Sequence, residues 1–292
     1  MTENIDFVSD GLKLSGLLHL PGNLKPGEKR PAFVVMHGFG GTKESGQGAW
    51  VAGALAKWGY VCLQFDFRGC GDSEGEPGRI ICLEQCADVS NAITCLEKRP
   101  EVDPKRIALC GSSLGAAVAI HAAGADSRAA AVISQGGWGN GERKFRRQHA
   151  SPGEWSRFMG QLTDGIKQRQ TCGTSLMVPR YDIVPIPPRL RAYIQNNPKS
   201  IMEFPAETPL SMFLFQPEEM ISRISPRPVL LLHGAGDSVT PASESMELFR
   251  RARPPVELHL IDGADHFMFA EENQRVVNLV RDWVEKYFPV RA

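Results

Sequence analysis

The stretch RIALCGSSLGAAVAIHAA, residues 106–123, changes character in its middle. Its first five residues are typical of a buried strand, and its last eight are typical of a helix built from small residues. Between them, Gly-Ser-Ser-Leu-Gly at residues 111–115 leaves no room for an ordinary loop. A Gly-x-Ser-x-Gly sequence at a sharp strand-to-helix turn lifts the central serine hydroxyl above the sheet. This register predicts Ser113 as a nucleophile. The alternative is a serine that caps an alanine-rich helix.

The sequence on either side of this turn alternates between short apolar runs and helical patterns. The alternation predicts a mostly parallel, eight-stranded sheet that is covered by helices on both faces. An Asp-Gly pair at residues 10–11 predicts a hairpin between the first two strands, and a last helix is predicted over residues 271–288. The predicted strands are residues 5–9, 12–20, 32–36, 61–65, 107–110, 129–134, 229–232 and 256–261.

The alternation stops between Trp138 and Ser225. This segment is rich in arginine, proline and isolated aromatic residues, and it contains helical fragments such as residues 154–168 but no clear strand. Because alternation resumes afterwards, we expect one α/β core made of residues 1–137 and 226–292. A mainly helical cap, residues 138–225, is predicted to be inserted after the sixth strand.

Two further loops supply the partners that a serine nucleophile needs. A serine hydroxyl requires a neighbouring base, and the base requires an orienting acid. Asp237 follows the predicted strand at residues 229–232, and His266 follows the one at residues 256–261. Because catalytic groups gather beyond the carboxyl ends of strands in an open α/β sheet, the sequence predicts a triad of Ser113, His266 and Asp237.

Other acidic and histidine side chains compete for these roles. Asp262 and Asp265 flank the predicted base, and Asp72 lies in another strand-end loop. For each of them the alternative role is to form a turn by accepting hydrogen bonds from backbone amides. His37 and His233 end strands but precede glycines, which favours a structural hydrogen bond that shapes the loop.

The sequence HGFGG at residues 37–41 predicts an oxyanion hole. Attack on a carbonyl creates a negative oxygen that needs preplaced donors, and we expect the backbone amides of Phe39 and Leu114 to supply them. The alternative is a phosphate-binding loop. However, GFGGTKES lacks the Gly-Lys-Ser/Thr of a P-loop and the third glycine of a dinucleotide-binding fingerprint.

Taken together, these segments resemble the α/β-hydrolase superfamily. The core is most similar to bacterial cinnamoyl and feruloyl esterases and to dienelactone-hydrolase-like proteins, although residues 138–225 are longer and richer in arginine than expected for the cinnamoyl esterases. The resemblance implies the same five residues in the same roles: Ser113, Asp237 and His266 as the triad, and Phe39 and Leu114 as oxyanion donors. The matching segments are HGFGG (37–41), DFRGCGDSEG (66–75), GSSLG (111–115), HGAGDSVTP (233–241) and DGADHF (262–267).

The composition of the chain predicts its partners, its location in the cell and its need for cofactors. The 292 residues carry no formal net charge and no long basic run, so we expect neither nucleic acid nor a membrane surface as a partner. The amino terminus lacks the pattern of a secretory signal, and the seven scattered cysteines favour reduced thiols in the cytoplasm. The sequence therefore predicts a cytoplasmic serine hydrolase without metal or organic cofactor. Its expected substrate is a small-molecule ester, with an amide, peptide or thioester as the alternative. A further alternative is a catalytically inactive hydrolase fold that binds a ligand or another protein.

The cap is expected to choose the substrate. An apolar pocket for an aromatic or medium-sized group is predicted from five of its residues, with a role in the cap's own core as the alternative for each. These residues are Trp138, Trp155, Phe158, Met159 and Tyr181. A basic cluster, Arg143, Lys144, Arg146 and Arg147, is expected to form a solvated helix face, with attraction of an anionic substrate as the alternative.

Overall fold

The computed structural model describes residues 1–270 and 273–291. Its centre is a sheet of eight strands: β1 (Thr2–Ser9), β2 (Leu12–His19), β3 (Arg30–Met36), β4 (Val61–Phe65), β5 (Val102–Ser112), β6 (Ala129–Gln135), β9 (Val229–Gly234) and β10 (Val256–Ile261). Their order in the sheet is β1-β2-β4-β3-β5-β6-β9-β10. The eight-stranded prediction is confirmed.

The first two strands form the predicted hairpin. Asp10 and Gly11 have φ angles of 49° and 84°, the positive values that a type I′ hairpin turn requires at both central positions. β1 and β2 pair antiparallel, and β2 pairs antiparallel with β4. The remaining neighbours in the sheet pair in parallel, so that their carboxyl ends share one edge.

Helices cover both faces of the sheet. Successive residues of β3 point to opposite faces, and Val34 and Val35 accordingly belong to two different apolar clusters. The helices of the core are α1 (Gly46–Lys57), α2 (Cys82–Glu97), α3 (Leu114–Ala125), α9 (Ser243–Arg251) and α10 (Gln274–Tyr287). α2 and α3 pack on the Val34 side, and α1 and α10 pack on the Val35 side.

The start predicted for the last helix, at residue 271, lies outside the described residues. Within the described ranges, α10 carries apolar residues at helical spacing: Val276, Val280, Trp283 and Val284 are buried. None of the helices in these ranges combines the length and the apolar character needed to cross a membrane.

Residues 138–225 follow the sixth strand and are mainly helical. They also contain two strands that the sequence did not predict, β7 (Met177–Pro179) and β8 (Glu203–Pro205), which pair antiparallel. Strands of three residues are too short to show an alternating pattern. The helices are α4 (Gly141–Gln148), α5 (Pro152–Cys172), α6 (Arg180–Ile183), α7 (Ala192–Gln195) and α8 (Pro209–Leu214), with short 3₁₀ turns at Pro188–Leu190, Pro217–Glu219 and Ile221–Arg223.

This segment packs closely onto the sheet. Its residues Phe145, Phe158 and Phe204 belong to the same apolar cluster as Val34 and Leu63 of the sheet. The predicted division of the chain into an α/β core and a separate cap, with boundaries at residues 138 and 225, therefore stays a prediction.

Candidate active site

Ser113 occupies a strained turn between β5 and α3. Its φ of 56° and ψ of −117° lie in a region that residues with a side chain rarely adopt, which costs about 1–3 kcal/mol. A Cβ atom on Gly111 would lie 2.1 Å from the carbonyl oxygen of Gly115, and one on Gly115 would lie 2.5 Å from that of His37. Both glycines are required because backbone crowds them, and the strain presents the Ser113 hydroxyl above the strand end.

The three predicted triad residues lie next to one another. The distance from Ser113 Oγ to His266 Nε2 is 3.0 Å, and the distance from His266 Nδ1 to Asp237 Oδ2 is 2.8 Å. The Asp237 side chain is fully buried, and His266 is 2% exposed. Loops after β5, β9 and β10 bring these residues to one edge of the sheet, and the hydrogen bonds join a hydroxyl, an imidazole and a carboxylate in a single chain.

Asp237 is held as a carboxylate. Its Oδ1 accepts hydrogen bonds from the amides of Val239 and Thr240, both at 2.8 Å, and its Oδ2 lies 3.2 Å from His233 Nε2. Burial alone would raise the pKa of Asp237, but the two neighbouring histidines, His266 first, hold it well below its ordinary value. An ionised Asp237 keeps the proton of His266 on Nδ1 and leaves Nε2 to accept the Ser113 proton.

The rival carboxylates make other contacts. Asp265 Oδ1 accepts from the backbone amides of His266 at 2.7 Å and Ser238 at 2.9 Å. Its Oδ2 lies 2.7 Å from Arg189 of the inserted segment. Asp265 therefore connects the loop that carries Asp237 with the loop that carries His266. Asp72 Oδ2 binds two lysines, Lys43 and Lys199, and Asp262 is exposed.

Each of the two strand-end histidines contacts backbone groups, and His233 also contacts side chains. Nε2 of His37 accepts from the Phe67 amide at 3.2 Å, and its Nδ1 contacts the Gly38 carbonyl at 2.8 Å. His233 contacts the Thr240 carbonyl through Nε2 at 2.9 Å and Ser245 Oγ through Nδ1 at 2.6 Å. These contacts agree with the loop-shaping role expected from the sequence.

The glycine-rich loop at residues 37–41 lies against the Ser113 turn. A Cβ atom on Gly38 would lie only 3.2 Å from Ser113 Cβ. Among residues 1–270 and 273–291, the amides of Phe39 and Leu114 have no protein acceptor. Two uncommitted N–H groups beside a nucleophile are what an oxyanion hole requires.

A cavity opens beside Ser113, but the five predicted pocket residues do not line it. From the inserted segment it is lined instead by Arg180, Val184, Ile186, Tyr193, Ile194 and Ser200, and from the core by residues that include Phe39, Val239, His266 and Phe267.

The five residues form packing contacts elsewhere, which was the alternative for each. Phe158 stacks on His149 and Phe145, with centroid distances of 4.4 and 5.0 Å. Trp138 packs against Phe215. The others pack in the same manner: Trp155 against Phe158 and Phe213, Tyr181 beneath the Arg191 guanidinium, and Met159 against the main apolar cluster.

The basic cluster is only partly a solvated face. Arg146 and Arg147 are exposed. Arg143, however, pairs with the buried carboxylates of Glu244 and Glu218 at 2.7 Å each. Lys144 is 2% exposed, and its ammonium lies 3.9 Å from the centroid of the Phe145 ring.

Two contacts at the site were not predicted from the sequence. His233 touches Asp237, and its position four residues before the acid was a usable signal. Arg180 contacts the loop at residues 37–41 through backbone carbonyls, which leave no trace in a side-chain pattern.

Comparisons with known proteins agree on the fold. Residues 27–273 match the family model described as serine aminopeptidase, S33. The quorum-quenching protein AidA of Acinetobacter baumannii is 28% identical, with 99% of this chain and 96% of AidA covered. The thiohydrolase aneE of Aspergillus aculeatus is 28% identical over 90% of this chain and 85% of its own. The crystal structure of a hypothetical protein from Pseudomonas aeruginosa superposes with a TM-score of 0.85 at 24% identity, covering 99% and 94% of the two chains. That of Est1E from Butyrivibrio proteoclasticus with ferulic acid bound superposes with a TM-score of 0.69 at 18% identity, covering 97% and 98%.

Proposed function

The chain belongs to the serine aminopeptidase S33 family of α/β-hydrolases, and from this premise we propose that it cleaves a carboxylic ester through an acyl-enzyme on Ser113. The observation that carries the proposal is the unbroken hydrogen-bond chain from Ser113 Oγ through the His266 imidazole to Asp237. A serine hydroxyl is a weak nucleophile, and an adjacent base with an orienting carboxylate is the usual means of activating it.

The reaction has two halves. Ser113 Oγ attacks the carbonyl carbon of the ester while its proton passes to His266 Nε2, and the carbonyl oxygen becomes an oxyanion. Collapse of this intermediate breaks the bond to the alcohol, which leaves with the proton from Nε2. Water then attacks the acyl-enzyme by the same route, with His266 again as base and then as acid, and releases the carboxylic acid. Asp237 stabilises the imidazolium without taking its proton.

The amides of Phe39 and Leu114 would stabilise the oxyanion in both halves. Within the described ranges neither amide has a protein acceptor, and their two loops adjoin each other at Ser113. Removing one such donor in other enzymes has lowered turnover by about 10² to 10³.

The lining of the cavity supports the proposal that the substrate is small or medium-sized. Aromatic acyl or alcohol groups are among the candidates. The lining includes the apolar side chains of Val184, Ile186, Ile194, Val239 and Phe267. A few polar groups on an apolar wall are typical of small-molecule sites.

Thioester cleavage is the second candidate. The relative aneE is a thiohydrolase, and it is similar to this chain over most of its length. A triad for acyl transfer does not itself fix the leaving group. The test is a panel of oxoesters, thioesters and anilides that share one acyl group, with kcat/KM measured for each.

Turnover by the Ser113→Ala variant tests the nucleophile. We expect a loss of about 10⁴ to 10⁶ in kcat, because the variant cannot form the acyl-enzyme. A fluorophosphonate probe should label the wild type and leave the variant unlabelled. Ser112→Ala is the control and should keep most of its activity. A Ser113→Ala variant that retains a tenth of wild-type turnover would overturn the proposal.

A further inference from the structure

Arg180 reaches from the inserted segment to the loop at residues 37–41. It is the first residue of α6, directly after β7, and it is 5% exposed. Its guanidinium donates hydrogen bonds to three backbone carbonyls: those of Phe39, Gly40 (3.2 Å) and Ile201 (2.9 Å). Two of these carbonyls belong to the loop that carries the Phe39 amide.

That loop has little stiffness of its own, because three of its five residues are glycines. Gly40 has a φ of 54°, and a Cβ atom there would lie 2.3 Å from Phe204 Cζ and 3.1 Å from Arg180 Nη1. The Phe39 ring stacks on Phe204 at a centroid distance of 4.2 Å, and the Ile201 amide donates to the Gly40 carbonyl at 3.0 Å. The inserted segment therefore holds the loop from outside.

Arg180 also brings a buried positive charge to this part of the molecule. Burial lowers the pKa of Arg180 to about 10, so that the side chain stays protonated near neutral pH. Among the described residues, the ionisable groups that act on Arg180 are Tyr181 and Cys70, neither of which is a carboxylate, and no carboxylate lines the cavity beside Ser113. The two terminal nitrogens of Arg180 donate to backbone carbonyls, whereas its buried Nε has no hydrogen-bond partner in the described part of the chain. The centroid of the Phe39 ring lies 5.4 Å from the guanidinium carbon. A buried charge without a counter-ion favours negative charge that develops nearby.

We propose that Arg180 is a positioning residue for the oxyanion hole. It fixes the loop so that the Phe39 amide faces the substrate oxygen, and its positive charge stabilises that oxygen when the Ser113 adduct forms. This inference rests on the proposed function. It predicts that Arg180 contributes mainly to the tetrahedral adduct and little to substrate binding.

The test compares Arg180→Met, which removes the charge and the donors, with Arg180→Lys, which keeps the charge but not the forked donor geometry. We expect kcat on a p-nitrophenyl ester to fall about 10² to 10³-fold in Arg180→Met and by a smaller factor in Arg180→Lys. KM should change less than threefold. The inhibition constant of a trifluoromethyl ketone, which forms a tetrahedral adduct with serine, should weaken in parallel with kcat/KM.

Arg169→Met is the matched control. Arg169 lies in the same segment but forms an exposed ion pair with Glu76, so kcat and inhibitor affinity should stay at wild-type values. All rates are expressed per serine labelled by the fluorophosphonate probe, and thermal unfolding checks that each variant is folded.

Two results would overturn the proposal. The first is a folded Arg180 variant with wild-type kcat and inhibitor affinity. The second is failure of both Arg180 variants to fold while Arg169→Met folds, which would assign Arg180 to stability alone. If the wild type itself is not labelled, or if Ser113→Ala stays active, the proposed function fails instead.

Discussion

Asp237 is surrounded by donors at every oxygen. Two amides bind its Oδ1, and two histidines contact its Oδ2. An asparagine at this position would present its amide nitrogen or oxygen to His266 without the charge that stabilises an imidazolium. We expect Asp237→Asn to lower kcat on an activated ester by about 10⁴, as loss of the acid does in a serine protease. Steady-state kinetics on a p-nitrophenyl ester measures the loss.

Asp265→Asn is the matched comparison, because Asp265 is the other carboxylate beside His266. It binds the backbone amides of His266 and Ser238, and an asparagine oxygen can still accept those bonds. We expect kcat to stay within about tenfold of the wild type, since the lost interaction is chiefly a surface ion pair with Arg189. If the larger loss appears in Asp265→Asn, the acid has been misassigned.

The positions of the site residues relative to the strands explain which of them the sequence could predict. Ser113, Asp237 and His266 each follow a strand, so a strand pattern and side-chain chemistry were enough to bring them together. Arg180 could not be found in this way, because its partners are carbonyls of Phe39 and Gly40, about 140 positions earlier in the chain. Any residue has such carbonyls, and only the fold brings them near.

Helix α4 contains a lysine, Lys144, whose burial the sequence did not predict. Burial lowers the pKa of Lys144 to about 7, whereas an exposed lysine titrates near 10.4. Between these two values the unfolded chain binds a proton that the folded chain lacks. The free energy of unfolding should therefore rise with pH above 7, by about 1.4 kcal/mol per pH unit from this group alone.

Lys144→Met should remove this dependence. We expect the variant to be more stable than the wild type at pH 7, and the difference to shrink as the pH is raised to 9. Urea denaturation at pH 7, 8 and 9 gives the free energies. Lys167→Met, at an exposed position on α5, is the control and should keep the wild-type slope. Wild-type and Lys144→Met curves that run parallel would contradict the argument.

Elements with a clear period were predicted well, and short ones were not. The Asp10-Gly11 hairpin and the apolar spacing of α10 are local signals that tertiary structure does not reverse. β7 and β8 have three residues each, and their pairing places Val178 opposite Phe204, which is distant in sequence. A strand of three residues is too short to show a period, and a partner that is distant in sequence gives no local signal.

The inserted segment and the sheet core both contribute residues to the cavity beside Ser113 and contact each other around it. Arg189 pairs with Asp265, and Arg143 pairs with Glu244 of α9. Several of its side chains share the main apolar cluster of the sheet. Deleting the segment would expose that cluster, so the choice of substrate is better tested by single changes in the cavity wall.

Variants of Ile194 and Trp155 test which residues select the acyl group of the substrate. Ile194 lines the cavity beside Ser113, whereas Trp155 was predicted for the pocket but packs on Phe158. Shortening Ile194 to alanine enlarges the space for the acyl group, and a change of one methylene in an apolar pocket alters discrimination by roughly 10-fold or more. We expect Ile194→Ala to shift the ratio of kcat/KM for a benzoyl ester to that for an acetyl ester by about tenfold in favour of benzoyl. Trp155→Leu should leave the ratio within about twofold of the wild type, because it removes packing without opening the wall. The reverse result, with the ratio moved by Trp155→Leu and not by Ile194→Ala, would return the pocket to the residues that the sequence first suggested.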